Sequence, residues 1–227
     1  MELTTTELAK YIDLTLLKPD ATPAQIEDLC EQAIDLGTFA VCVNPCHVQL
    51  ASIMLHGSKV LPITVIGFPL GSNMTEVKVF EAETAICFGA REIDLVMNVG
   101  YFLSDAAHVK YAAYEIGRIV LACGDIPVKV ILETALLSGQ QIRDACLIAE
   151  MAGARFVKTS TGFCGPTQYS PTGGATLAAI DTMKATVGGR LGIKASGGIH
   201  NRANALAMIA AGATRIGASN ARAILAK

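Results

Sequence analysis

The sequence has no tryptophan and few other aromatic residues, which make up 5 % of the chain, although 52 % of its 227 residues are hydrophobic. Its interior must therefore be built mainly from alanine, valine, isoleucine and leucine. Such residues suit parallel β-strands that are buried under helices. The length is also that of a single (β/α)8 barrel.

The sequence also lacks a strong charge of either sign, since its formal net charge is −2 and its acidic and basic residues are dispersed. This argues against docking to nucleic acid or to an anionic membrane surface. No apolar run reaches the roughly 18 residues that span a bilayer, and the start, MELTTTELAK, has no basic segment followed by an apolar stretch. We therefore expect a cytoplasmic protein with neither nucleic-acid nor membrane partners.

Metal-site and disulfide patterns are missing as well. The seven cysteines are an odd number without a CxxC pair, and the four histidines show neither HExxH nor HxH spacing. These features argue against a disulfide framework and against a bound metal, so most of the cysteines are expected to be small buried side chains.

Eight short apolar runs alternate with segments of helical periodicity, which predicts eight β-strands joined by helices. The first helix is marked by Thr22 as the N-cap, Pro23 at the first position and Gly37 as the stop. Eight such units without a flexible linker favour one (β/α)8 TIM-barrel domain over residues 1–227, with an open doubly wound sheet as the alternative. The predicted strands are residues 11–16, 39–44, 61–68, 91–98, 128–134, 155–160, 191–196 and 214–219. Further helices are predicted to begin near Pro45, Thr75, Asp105, Ser138, Thr172 and Asn201, and after Gly217.

Three of these strands carry a charged residue among apolar ones: Lys158 in RFVKTS, Lys194 in LGIKAS and Asp94 in REIDLVMN. A buried charge is costly unless it is paired. One interpretation is structural, with each lysine reaching the rim of the barrel and Asp94 pairing with one of them. The other is catalytic, because adjacent strands six and seven would direct both amines into one lumen.

A lysine attacks a carbonyl only as the free amine, which at a reference pKa near 10.4 is about one molecule in 2500 at pH 7. A second ammonium about 4 Å away opposes its protonation by about 4 kcal/mol at an effective dielectric constant near 20. One lysine is then the Schiff-base nucleophile and the other keeps it neutral. Asp94 is the candidate for proton transfer.

Glycine-rich turns follow the last two predicted strands, SGG at 196–198 and GAS at 217–219. Barrels commonly bind phosphate there through backbone N–H groups, although such glycines also occur in plain turns. The longest irregular stretch, residues 161–174, follows the sixth strand and is a candidate lid. The two glycine-rich turns together favour a small phosphorylated substrate.

The segments FVKTSTGF, GIKASGGI and EIDLVMNVG, with LTLLKPDAT and VCVNP, resemble the deoxyribose-phosphate aldolases over residues 11–220. The resemblance implies a TIM-barrel class I aldolase that reversibly cleaves 2-deoxy-D-ribose 5-phosphate to acetaldehyde and D-glyceraldehyde 3-phosphate, without metal or other cofactor. It implies that Lys158 forms the Schiff base, Lys194 perturbs it and Asp94 transfers protons with a water.

Further roles follow from the same resemblance. Asp13 would hold a substrate hydroxyl or a water at the barrel mouth, and Cys42 would lie near the site as a packed thiol. Lys129 and Glu133 would line the lumen as supporting charges. The phosphate would be held by Gly162, Gly197, Gly198, Gly217 and Ser219.

Three departures from the family's pattern stand out. CGPTQYSPT at 164–172 intervenes before GGAT, Asn220 stands where a second serine is common, and the sequence ends at Lys227 without a C-terminal tyrosine. Two other functions stay open: another Schiff-base aldolase or transaldolase, and a sugar-phosphate-binding barrel without catalysis. The protein is expected to be a monomer or a homodimer.

Overall fold

Eight parallel strands form a closed barrel in the computed structural model, which describes residues 3–226. Each strand pairs with the next along the chain, and the eighth pairs with the first. This confirms the predicted (β/α)8 TIM barrel and excludes the open sheet. The strands are β1 Ile12–Leu16, β2 Ala40–Val43, β3 Leu61–Ile66, β4 Glu92–Val96, β5 Val128–Ile131, β6 Phe156–Lys158, β7 Gly192–Ser196 and β8 Arg215–Ala218.

Most of the predicted helices begin where the capping residues indicated, with two shifts. Pro45 begins a short 3-10 turn, Pro45–His47, and the α-helix expected there begins at Val48. Thr22 caps the first crossover helix, Pro23 is its first residue and Gly37 ends it in the left-handed conformation. The helix expected near Thr172 begins five residues later, at Leu177, because Thr176 provides the N-cap. The helices are α1 Thr5–Ala9, α2 Pro23–Leu36, α3 Val48–Met54, α4 Thr75–Cys87, α5 Val99–Phe102, α6 Ala106–Cys123, α7 Gly139–Met151, α8 Leu177–Val187, α9 Arg202–Ala211 and α10 Ala221–Leu225.

The apolar side chains form two separate clusters. The larger one fills the layer between the sheet and the surrounding helices. The smaller one lies inside the barrel, on the side of β1 to β3, and consists of Leu17, Ala40, Cys42, Ile63 and Val65. The lumenal faces of β2 and β3 are therefore apolar, and the charged lumenal residues come from the other six strands.

Two aromatic rings and one arginine occupy the amino-terminal end of the lumen. The guanidinium carbon of Arg215 lies 3.5 Å from the centre of the Phe39 ring and 5.3 Å from that of Phe156. Gly192 on β7 makes room for this arrangement, because a Cβ atom there would lie 2.2 Å from the Phe156 ring. This packing fixes the Arg215 charge at the base of the barrel.

The irregular segment 161–174 is held by its own hydrogen bonds and by the barrel. The Ser170 hydroxyl donates to the Gly174 carbonyl at 3.0 Å, and the Thr167 hydroxyl donates to the Ala135 carbonyl. A Cβ atom on Gly174 would lie 2.4 Å from the Gly197 carbonyl oxygen, so this end of the loop packs directly against the turn after β7. The segment is therefore anchored beside the carboxyl end of the barrel, while most of the inserted residues stay exposed.

Within residues 3–226, no helix combines the length and the apolar character that crossing a membrane requires.

Candidate active site

The charged side chains of the lumen come from neighbouring strands in matched register. Lys158 on β6 is the register partner of Lys194 on β7, and Asp94 on β4 is that of Lys129 on β5. Because alternate residues of a strand point to the same face, these side chains all enter the lumen. The barrel thus brings together the three residues that the sequence singled out.

Asp94 is the centre of this cluster. Its Oδ2 atom accepts hydrogen bonds from the Nζ atoms of Lys158 and Lys194, each at 2.8 Å, and its Oδ1 atom accepts one from Lys129 at 2.9 Å. All four side chains are buried. Since both Nζ atoms contact the same oxygen, the Nζ atoms of Lys158 and Lys194 are separated by no more than twice that contact distance.

The contacts continue into a closed cycle, which we call the ion-pair ring. Lys194 lies 2.6 Å from Asp13 Oδ2, and Arg215 donates to Asp13 Oδ1 at 2.9 Å. Arg215 also donates to Glu92 Oε2 at 3.2 Å, and Lys129 lies 2.5 Å from that same oxygen. The ring consists of Arg215, Asp13, Lys194, Asp94, Lys129 and Glu92, and Lys158 is attached to it through Asp94.

The two lysines differ in their electrostatic surroundings. Burial lowers the pKa of Lys158, the Asp94 charge raises it and the Lys194 charge lowers it further, so the pKa ends below its usual value. Burial also opposes the charge on Lys194, but Asp13 and Asp94 together outweigh burial and raise its pKa. Lys158 is thus the amine disposed to be neutral, while Lys194 keeps its charge.

Asp94 titrates in the opposite sense. Burial raises the pKa of a carboxyl group, yet Lys129, Lys158 and Lys194 together hold the pKa of Asp94 well below its usual range. Asp94 is therefore a carboxylate throughout the neutral pH range.

A cavity of about 280 Å³ opens above the cluster, at the carboxyl ends of β1, β6, β7 and β8. Lys158 reaches it from below, whereas Asp94, Lys194 and Asp13 do not line it. Lys18 and His200 also line this cavity and were not predicted; their position directly after β1 and after SGGI was the available signal. All five predicted phosphate-binding residues line it: Gly162, Gly197, Gly198, Gly217 and Ser219.

Asp13 was expected at the mouth of the barrel, but the structure places it deeper in the lumen. Asp13 is the second residue of β1 and is fully buried between Lys194 and Arg215. Its carboxylate belongs to the ion-pair ring below the cavity. The mouth position was wrong because IDLT places the aspartate near the start of its strand, while the mouth lies at the strand's end.

Two of the glycines meet specific steric demands. Gly197 has a φ of 83°, and a Cβ atom there would lie 2.9 Å from the Gly174 Cα atom. Gly217 leaves space for the Lys194 side chain, since its Cβ atom would lie 3.2 Å from Lys194 Cε. The first glycine lets the turn after β7 approach the 161–174 segment, and the second lets Lys194 extend toward Asp94.

The remaining predicted residues have local roles. Glu133 follows β5 with a φ of 55°, and its carboxylate accepts a hydrogen bond from the Thr161 hydroxyl at 2.5 Å. Burial raises the pKa of Glu133, and it raises that of Cys42 to about 11, so Cys42 is an un-ionised thiol. Asn220 caps α10 by accepting a hydrogen bond from the Ala223 amide at 3.1 Å.

In the part of the chain from residue 3 to 226, no group of three or more His, Cys, Asp or Glu side chains is arranged to hold a metal ion.

Comparisons with known proteins find aldolases that are similar over nearly the whole chain. Residues 8–227 match the model of the DeoC/LacD family aldolases. A deoxyribose-phosphate aldolase from Enterococcus faecalis is 50 % identical over 220 residues, covering 96 % of each chain. One from Macrococcus caseolyticus is 50 % identical over 212 residues, covering 93 % of this chain and 92 % of that one.

A solved structure agrees in fold over nearly the whole length. The deoxyribose phosphate aldolase from Aeropyrum pernix, described as a tetramer, superposes with a TM-score of 0.86 at 33 % identity. The match covers 98 % of this chain and 91 % of that one. With the lysine cluster at the carboxyl end of the barrel, these matches establish that the chain belongs to the DeoC/LacD family of aldolases.

Proposed function

We propose that this protein is a Schiff-base aldolase that reversibly cleaves 2-deoxy-D-ribose 5-phosphate to acetaldehyde and D-glyceraldehyde 3-phosphate. The observation that carries the proposal is the buried Lys158 amine at the base of the cavity, with a lowered pKa, beside a Lys194 that stays charged. The relatives named deoxyribose-phosphate aldolase support this substrate, since the chain matches them over more than nine-tenths of their length.

The reaction begins when the Lys158 nitrogen attacks the aldehyde carbon of the open-chain sugar. The carbonyl oxygen leaves as water, and the nitrogen–carbon bond becomes a cationic imine. The C3 hydroxyl then loses its proton, and its electron pair forms the new aldehyde as the C2–C3 bond breaks. The bonding electrons move to the imine and give an enamine, so D-glyceraldehyde 3-phosphate is released first.

Protonation of the enamine at C2 and hydrolysis then release acetaldehyde and restore the Lys158 amine. We assign Asp94, acting with a water, to the proton transfers, and Lys194 to keeping Lys158 unprotonated. Because three amines lower the pKa of Asp94, its carboxylate orients the water and stabilises the cationic imine without retaining the proton.

The phosphate group is proposed to lie at the end of the cavity away from Lys158. Gly162, Gly197 and Gly198 offer backbone N–H groups there, and Ser219 offers a hydroxyl. Lys18 and His200 line the same cavity, and the Lys18 ammonium adds a positive charge. The amide oxygen of Asn220 is engaged as the cap of α10.

Gly197→Ala is expected to raise KM for the phosphorylated sugar by about tenfold or more, with a smaller effect on kcat. The reason is steric, because the new Cβ atom meets the Gly174 backbone at 2.9 Å and disturbs the phosphate-binding turn. The measurement is KM for 2-deoxyribose 5-phosphate and for unphosphorylated 2-deoxyribose.

The matched control is Gly117→Ala in α6, where an added Cβ atom meets nothing within 4 Å. It should leave both KM values unchanged. Equal losses on the two sugars in Gly197→Ala would refute the proposed phosphate position.

The proposed activity is tested by an assay that couples D-glyceraldehyde 3-phosphate formation to an NADH-consuming reduction. We expect turnover with 2-deoxyribose 5-phosphate, and in the reverse direction with acetaldehyde as the donor. A preference for another donor would favour a different Schiff-base aldolase or transaldolase. Binding of the sugar phosphate without aldehyde release would identify a non-catalytic barrel and end the proposal.

The monomer or homodimer state and the cytoplasmic location stay predictions for this chain.

A further inference from the structure

The lumen contains one more cation than it has anions to pair them with. Within residues 3–226, the side chains linked by direct contacts to Asp94 and to the ion-pair ring comprise four cations and three carboxylates. The six members of the ring balance one another, with three charges of each sign. The unbalanced charge is therefore that of Lys158, if its amine is protonated.

The contacts explain why Lys158 is the residue that gives up its proton. Lys194 contacts the carboxylates of Asp13 and Asp94, and Lys129 contacts those of Glu92 and Asp94. Among residues 3–226, Lys158 has one carboxylate partner, and it shares that oxygen with Lys194. Arginine does not lose its proton in proteins, so the ring holds its charges while Lys158 does not.

Arg215 and Glu92 complete this balance from the base of the barrel. Arg215 lies between the Phe39 and Phe156 rings and donates to both Asp13 and Glu92. Glu92 in turn contacts Lys129 at 2.5 Å. Neither residue is among those that line the cavity, so neither is placed to touch the substrate.

We infer that Arg215 and Glu92 are positioning residues that set the protonation state of Lys158 through the charge balance of the ion-pair ring. The inference rests on the proposed function, in which Lys158 is the nucleophile. Arg215 acts by pairing with Asp13, which leaves Asp13 unable to neutralise Lys194 fully. Glu92 acts in the opposite sense, because it neutralises part of the Arg215 and Lys129 charges.

Other charged or titratable groups also face Lys158, and none of them is replaced in the proposed variants. Glu133 acts on Lys158 from the end of β5, although its hydrogen bonds go to Thr161. Cys42 faces it from β2 as an un-ionised thiol. The remaining neighbours are Asp94 on β4, Lys194 on β7 and, through the ring, Asp13 on β1 and Lys129 on β5.

The balance predicts shifts of opposite sign in two variants. Arg215→Met leaves three cations and three anions with Lys158 protonated, so the Lys158 pKa rises and the neutral amine forms at higher pH. Glu92→Gln leaves four cations and two anions, so the pKa falls. The double variant restores an excess of one positive charge, and its profile should return toward that of the wild type.

The test measures the pH dependence of two rates in each variant. One is aldehyde release, and the other is acetylation of Lys158 by acetic anhydride, which consumes only the neutral amine, is followed by peptide mass spectrometry and needs no substrate. At a fixed pH on the rising limb, we expect Arg215→Met to lower the labelling rate at least tenfold and Glu92→Gln to raise it. Arg215→Lys keeps the positive charge, so its labelling rate should be near that of the wild type. The control is Arg143→Met at an exposed position, which should leave the labelling rate unchanged.

The inference would be overturned if the rising limbs of the two folded variants moved in the same direction along the pH axis, or if neither limb moved. If Arg215→Met does not fold, Glu92→Gln decides alone. A rising limb of its rate profile at lower pH than in the wild type supports the inference, and an unchanged rising limb refutes it. A wild type that releases no aldehyde would refute the proposed function, whereas the labelling profiles would still test the charge balance.

Discussion

Replacing Lys158 with leucine is expected to abolish aldehyde release, with a loss of at least about 10⁴-fold. Among residues 3–226, no other amine reaches the cavity from its base with a lowered pKa. Borohydride reduction in the presence of 2-deoxyribose 5-phosphate should add the mass of the trapped imine to the peptide that contains Lys158. The same treatment should leave the Lys158→Leu protein unmodified.

Lys110→Met on the outer surface of α6 is the matched control and should retain both activity and the adduct. A trapped adduct on Lys194 or Lys129 in the wild type would assign the nucleophile elsewhere. The variant itself should fold, since removing Lys158 takes away the unbalanced cation and leaves the ion-pair ring with three charges of each sign. Denaturant unfolding checks this expectation.

Replacing Lys194 with leucine should lower activity near neutral pH by about 100-fold or more and move the rising limb of the rate profile to higher pH. The reaction requires the neutral Lys158 amine, which exists above the Lys158 pKa. The Lys194 charge lowers that pKa while Asp94 raises it, so losing Lys194 leaves Asp94 to stabilise the Lys158 ammonium. Each pKa unit gained costs tenfold in the neutral fraction.

The measurement for Lys194→Leu is kcat/KM against pH, with Lys194→Arg as the conservative variant. Lys194→Arg keeps the positive charge, so its rising limb should stay near the wild-type position even where the amplitude falls. A Lys194→Leu profile that coincides with that of the wild type would show that the second amine does not control the first.

The structure changes the explanation of how the nucleophile is activated. From the sequence alone, repulsion between two ammonium groups is expected to account for the lowered pKa. Burial is the largest cause of the lowered Lys158 pKa, and Lys194 adds to it. Asp94 works against both, because it lies between the amines and bonds to each. The activation is therefore a balance of burial and the surrounding charges, which explains why the residues beneath the cavity are expected to matter.

The sequence by itself determined the elements and the direction of the main side chains. Alternation along a strand decides which residues share a face, so Lys158, Lys194 and Asp94 could be recognised as lumenal from their own strands. Local capping chemistry likewise determined helix starts such as Thr22 and Ser138. Strand ends followed by glycine indicated the cavity that Gly197 and Gly217 line.

Only the tertiary structure decided which charges pair and how deep each one lies. Arg215 pairs with Asp13, 202 residues away, because closure of the barrel places β8 beside β1. Glu92 joins them only because the lumen is narrow enough for side chains of β4 and β8 to meet. Periodicity is a property of short segments and carries no information about register between distant strands or about depth in the lumen. The ion-pair ring, the buried position of Asp13 and the packing of the 161–174 segment therefore follow from closure of the barrel.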